Sequence, residues 1–140
     1  MIDTIEAYFS DKLSTIDFVL LYGSYAQAKA TPMSDIDIAI HFKTPSSVLE
    51  MGGYTTYLEM QLHKKIEINT LNHLYKTHPL LAYNITTNHI PITIVDENAY
   101  IDFKTNSMLY YFDTYPLIQQ SNESLKRRIE SGFFGERNYA

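Results

Sequence analysis

The chain contains no cysteine. Disulfides, thiolate metal centres and a cysteine nucleophile are thereby excluded, and the composition fits a reducing compartment. Long hydrophobic runs are missing too. Nothing approaches the ~20 consecutive apolar residues that span a bilayer, and the opening MIDTIEAYFSDKL is acidic and broken by charge, unlike a secretory signal. A soluble, cytoplasmic protein is expected. Basic residues are few: 11 Lys and Arg against 16 Asp and Glu give a formal net charge of −5. That balance argues against general nucleic-acid binding, which needs many cations to displace counterions from phosphate; a small local phosphate site stays open. Tryptophan is absent, yet 12 Tyr and 7 Phe are present, many of them after residue 75. These rings either line the core with their hydroxyls outward or supply a partner surface.

What is there reads as one domain. The 140 residues carry 45% hydrophobic and 19% charged side chains, with no repeat, linker or low-complexity tract. Ile5, Phe9 and Leu13 recur at helical spacing within residues 3–14. Phe18 to Tyr22 (FVLLY) suits a buried strand, broken by Gly23-Ser24. Ser24 to Ala30 reads as a short helix, and Asp35 to His41 alternates as a second strand. Pro45-Ser46-Ser47 followed by Glu50 is a helix start, giving a helix from about Ser46 to Lys64 that Gly52-Gly53 weakens or kinks. Lys65 to Leu71 (KIEINTL) alternates as a third strand. Asn72 to Asn88 reads as helix with a break near Pro79, and Ile92 to Val95 as a fourth strand. From Asn98 onward the pattern is helical, with Pro116 separating two helices; basic residues in LKRRIESGFF suit the dipole of the last turns. Strands alternating with helices predict an α/β or α+β fold, a small mixed sheet flanked by helices. The core is expected over about 15–95 and a C-terminal helical segment over about 98–135.

One stretch, GSYAQAKATPMSDIDIAI from Gly23 to Ile40, asks for a chemical explanation. Side chains two apart on a strand share a face. Asp35 and Asp37 therefore join Ala39 on one face, while Ile36, Ile38 and Ile40 take the other into the core. The two carboxylates stand ~6–7 Å apart at the Cα level, given ~3.3 Å rise per residue. Unpaired, they repel and raise each other's proton affinity. A divalent cation removes the conflict, and Mg²⁺ typically takes one or two carboxylates together with waters and substrate phosphates. Gly23-Ser24 is placed where a buried strand turns into a helix, whose free N–H groups form a phosphate site. Glycine lets the backbone come close, and the Ser24 hydroxyl adds a hydrogen bond. In KIEINTL, Ile66 and Ile68 face the core, so Glu67 faces away with Lys65 and Asn69. If this strand lies beside the Asp-x-Asp strand, Glu67 projects into the same cleft, suited to act as general base and to help hold a second metal. Taken singly, each of these features is more often a solvated strand face or an ordinary turn; their joint occurrence is what points to chemistry.

The Gly-Ser, ten-residue, Asp-x-Asp pattern of Gly23, Ser24, Asp35 and Asp37 resembles the signature of the DNA polymerase β-like nucleotidyltransferases, and the small size resembles their minimal members (MNT proteins). The resemblance covers roughly residues 15 to 95. It implies a small mixed sheet flanked by helices and two Mg²⁺ ions bound with a nucleoside triphosphate. It implies transfer of a nucleoside monophosphate to a hydroxyl with release of pyrophosphate. By position, Gly23 and Ser24 hold the triphosphate; Asp35 and Asp37 are metal ligands; and Glu67 is the third carboxylate, where the family more often has Asp. Many members have Arg three residues after the serine; here it is Gln27, so either that charged phosphate contact is missing or Lys29 replaces it. Stand-alone MNT proteins are often antitoxins of HEPN-domain ribonuclease toxins. The resemblance thus implies AMP transfer from ATP to a tyrosine of such a toxin, whose RNA binding the added charge blocks. The aromatic MLYYFDTYPL segment would supply the toxin-binding surface.

Two other functions remain open at this stage. A small-molecule enzyme, such as one adenylylating an antibiotic, usually has a second domain for its acceptor, and some fifty residues after the sheet are thin for that. An antitoxin acting by contact alone would tolerate Gln27 but has no need of Asp35, Asp37 and Glu67. His73 and His78 are five apart, not the i, i+4 spacing of a helical zinc pair, and read as surface or core histidines. Lys126-Arg127-Arg128 reads as a solvated helix face.

Overall fold

The apolar run from Phe18 to Tyr22 has no polar alternation, as expected for a strand covered on both faces. In a computed structural model, which describes the backbone of residues 1–130 and the side chains of residues 1–114, that strand is β1 (Ile16–Tyr22) at the middle of a four-stranded mixed sheet. It pairs antiparallel with β2 (Ile36–Phe42) on one side and β4 (His89–Ile94) on the other. Beyond β2 lies β3 (Ile66–Thr70), parallel to it. A parallel pair needs a crossover, supplied by α2 (Val48–Leu62). Pro91 falls in β4, an edge strand, where its missing N–H costs least.

Two helical layers enclose the sheet. On one face Val19, Leu21, Ile36, Ile38, Ile40, Ile66 and Ile92 pack with Ile5 and Phe9 of α1 (Ile2–Phe9) and with Tyr54 and Leu58 of α2. On the other, Phe18, Leu20 and Ala39 pack with Leu71, with Ala82 and Ile85 of α4 (Pro79–Thr87) and with Phe103 of α5 (Glu97–Glu130). The short α3 (Leu74–Thr77) precedes α4, and Pro79 opens α4, so the break near Pro79 is where the sequence places it. Among the described residues no helix is long and apolar enough to cross a membrane.

Four expectations change. Leu13 lies beyond α1, because the Ser10 hydroxyl bonds back to the Ala7 carbonyl and Lys12 N–H to the Phe9 carbonyl, closing the helix. The predicted helix from Ser24 to Ala30 is only a 3₁₀ turn over Gly23–Tyr25; Ala28 has φ +57°, and that left-handed residue ends any helical run. Gly52-Gly53 leaves α2 continuous, held by the Ser47 hydroxyl accepting from Glu50 N–H at its start and by left-handed His63 at its end. Pro116 does not separate two helices. α5 runs through it to Glu130, about 50 Å at 1.5 Å per residue; a proline removes one backbone bond, which a long helix can absorb. The last part of LKRRIESGFF and the side chains of Lys126, Arg127 and Arg128 lie outside the described residues.

Candidate active site

The strand register decides what faces what. Tyr22 on β1 pairs with Asp37 on β2, and Asp37 pairs with Glu67 on β3. Neighbouring strands stand ~4.8 Å apart and paired residues share a face, so Tyr22, Asp37 and Glu67 form one row across the sheet. Asp35 sits just ahead of β2, and the Gly23-Ser24 turn follows β1 directly. This row lies on the face covered by α4 and α5, but at its margin: Ala39 is fully buried, whereas Asp37 is half-buried and Glu67 exposed.

Gly23 leaves no room for a side chain beside Asp37. Its φ is +74°, in the region that only glycine enters without strain, and a Cβ placed there would overlap Asp37 Oδ2. The Gly-Ser turn therefore presses directly on the Asp37 carboxylate. Ala26 and Gln27 N–H groups bond back to the Gly23 carbonyl, and Lys29 N–H to that of Ser24, leaving the amides of Ser24 and Tyr25 at the head of the turn. Ser24 is half-buried; Gln27 and Lys29 are exposed, and the Lys29 ammonium makes no ion pair among the described residues.

Electrostatics mark Asp37 out. Burial raises its carboxyl above the ordinary 3.8, and the charges of Glu67 and then Asp35 push it further the same way. No described lysine or arginine relieves this: the ion pairs are Lys12–Asp11, His41–Asp17 and Lys43–Asp17, all away from the row. Among the described residues, no three His, Asp or Glu side chains are already gathered at metal-ligating distance. His73 and His78 are both exposed and serve no such cluster.

Two members of the site were not singled out from the sequence. The Asn69 amide donates a 2.6 Å hydrogen bond to the Tyr22 hydroxyl, spanning β2 from β3 to β1 above Ala39. Burial raises the Tyr22 phenol, the Asn69 bond offsets part of that rise, and the charges of Asp37 and Glu67 add to it. Their signal was present in part, since Asn69 shares the parity of Glu67 and Tyr22 precedes Gly23, but only the register joins them.

A family model described as polymerase beta, nucleotidyltransferase matches residues 3–98. The chain belongs to this family. The matched span contains all of Gly23, Ser24, Asp35, Asp37 and Glu67. A relative from Methanocaldococcus jannaschii carrying the provisional name protein adenylyltransferase is 35% identical over 57 residues, which cover 41% of this chain and 58% of the relative. Among solved structures, a chain of a toxin–antitoxin complex with AMP-PNP superposes with a TM-score of 0.66 at 16% identity, covering 92% of this chain and 98% of the other. A chain of the complex between a tri-AMPylated Shewanella oneidensis HEPN toxin and its MNT antitoxin gives 0.60 at 16% identity, covering 93% and 99%. At such identity the structural likeness establishes the nucleotidyltransferase fold, over nearly the whole chain.

Proposed function

We propose that this nucleotidyltransferase is an antitoxin that transfers AMP from ATP to a tyrosine hydroxyl of a cognate HEPN ribonuclease toxin, with Mg²⁺ as the metal. The observation that carries the reading is Asp37: a half-buried carboxylate crowded by Gly23, Glu67 and Asp35, with no side-chain cation among the described residues to neutralise it. Such a cluster suits a divalent cation that arrives with its own phosphates. Mg²⁺ needs only one or two carboxylates from the protein, so three gathered carboxylates are not required beforehand. The partner is supported by the likeness to toxin–antitoxin chains and by exposed Leu109, Tyr110 and Phe112 on α5, within the aromatic segment.

Asp35 and Asp37 are assigned as metal ligands, with Glu67 as the third carboxylate. The metal, when bound, supplies charge neutralisation at the triphosphate. The chain's own groups do the rest. The amides heading the Gly23–Tyr25 turn and the Ser24 hydroxyl hold phosphate oxygens, and Lys29, free on the same loop, adds a positive charge. Glu67, exposed at the cleft edge, accepts the proton of the attacking tyrosine hydroxyl. The phenolic oxygen bonds to the α-phosphorus, the bond from that phosphorus to the pyrophosphate oxygen breaks, and pyrophosphate leaves. The Asn69–Tyr22 bond fixes the floor beside Asp37.

The test is intact-protein mass of the cognate toxin after incubation with this protein, ATP and Mg²⁺. A gain of one or more AMP masses is expected with wild type and none with the Asp35→Asn/Asp37→Asn double variant. Glu67→Gln is expected to slow transfer about 10²–10⁴-fold with nucleotide binding retained. Tight complex formation without any mass gain would replace enzymatic by contact neutralisation.

A further inference from the structure

At the level of Leu20 and Ala39 the sheet face is apolar and fully buried, yet two polar side chains meet at its edge. The Asn69 amide donates to the Tyr22 hydroxyl at 2.6 Å, and both residues are half-buried. The pair is neutral and stands beside the Asp37 and Glu67 carboxylates. A Phe and a Leu of similar shape would fill the same space. Replacing both partners of such a bond by apolar groups is nearly neutral for stability, so packing alone gives no reason for the polar pair.

The hydrogen-bonding capacity of the pair is only partly used. The Tyr22 oxygen accepts from Asn69 and keeps its own proton to donate; Asn69 keeps a second N–H and its carbonyl oxygen. None of these three finds a side-chain partner among the described residues. The side-chain oxygens that are both buried and unpaired there belong to Thr86 and Ser107, so the unpaired Asn69 oxygen opens to solvent. Tyr22 stands directly opposite Asp37, a pairing that puts Cβ atoms ~4.5–5.5 Å apart. From Tyr22 the Gly23–Tyr25 turn runs on past Asp37 toward Asp35, whereas Asn69 pairs with Ala39 on the other side of Asp37.

We propose that Tyr22 and Asn69 determine sugar specificity, reading the bound nucleotide through its ribose hydroxyls. The inference rests on the assignment of Gly23 and Ser24 to the phosphates and of Asp37 to the metal. With the triphosphate laid from the turn to Asp37, the nucleoside continues on the side where Asn69 lies. The sugar joins the α-phosphate through a single CH₂ and the base lies beyond the sugar, so groups next to Asp37 meet the sugar first. The chemistry agrees. Phosphate oxygens call for cations or backbone N–H groups. A neutral patch that offers donors together with an acceptor suits a group that both gives and takes a hydrogen bond, as a ribose hydroxyl does.

Calorimetric titration of the full-length chain with ATP, 2′-deoxy-ATP and 3′-deoxy-ATP, each with Mg²⁺ and without any acceptor, tests this by binding alone. ATP should bind about tenfold more tightly than at least one deoxy analogue, the size expected of a half-buried neutral hydrogen bond; the analogue that loses affinity names the hydroxyl. Tyr22→Phe and Asn69→Leu should each bring ATP down toward that analogue while leaving the analogue's own affinity unchanged. This coupling between side chain and sugar is a readout that loss of packing does not produce. Wild type binding all three nucleotides equally would overturn the inference, and so would variants that keep the full preference or weaken ATP and the analogues alike. A chain that transfers AMP without any sugar preference overturns this inference alone; one that binds none of the three nucleotides overturns it together with the reading it rests on.

Discussion

Asp37 finds no counter-charge among the described side chains, and this has a consequence for stability. Its unfolded carboxyl titrates near 3.8, its folded one higher. The folded state therefore holds the proton more tightly, and this group's contribution to stability falls as pH rises from 3.8 through the raised folded value. At neutral pH the ionised carboxylate opposes folding. Asp37→Asn should accordingly show a melting temperature equal to or above wild type in metal-free buffer, while losing transfer activity; a clear fall would mean that the carboxylate serves the fold instead. The pair Asp35 and Asp37, with Gly23 and Ser24, was legible from spacing alone, because two carboxylates two residues apart on a strand have no use in a core. Glu67 was legible only conditionally, and Tyr22 and Asn69 were not, since which strand lies beside which is a long-range fact.

At the scale of elements, α2 shows how local signals and packing divide the work. Its start was readable: Ser47 caps the Glu50 amide at 3.0 Å, as the Ser-x-x-Glu pattern implies. Its glycines suggested weakness, yet the helix is continuous because Tyr54 and Leu58 anchor its inner face in the core. The glycines still carry an entropic cost, and neither is held by a special backbone angle or a close neighbour. Gly52→Ala should stabilise the chain by about 0.5–1 kcal/mol in denaturant melts at low micromolar concentration. No change, or a loss, would show that the backbone there is already restricted when unfolded. The opposite error occurred after Gly23, where alanine-rich Ser24 to Ala30 looked helical. Residues 27–30 are exposed, and Ala28 turns left-handed, with the Gly23 turn lying against Asp37. α1 and Pro116 repeat the lesson: the first helix ends where a serine offers a competing bond, and the last continues where a single proline does not outweigh its length.

For the whole molecule, the family match ends at residue 98 but the core does not. Phe103 of α5 is 2% exposed and lies against Phe18 with ring centroids 5.9 Å apart, beside Tyr100 and His41. The start of α5 thus closes the second face of the sheet and sets the edge at which the acidic row emerges. Phe103→Ala should cost about 3–5 kcal/mol in equilibrium unfolding; a cost below about 1 kcal/mol would make α5 an appendage. The sequence by itself determined the class of fold, the covered β1 strand and the placing of the Gly-Ser turn beside the Asp-x-Asp strand, since these rest on two-residue periodicity, turn residues and charge, all local quantities. Only the tertiary structure decided that Asp37 stands between Tyr22 and Glu67, that Gly23 seals against its carboxylate, and that α2 leaves Val48, Leu49 and Met60 exposed. Each of these depends on strand register and on which helix faces find a partner, and chain neighbours carry no record of contacts made across the fold.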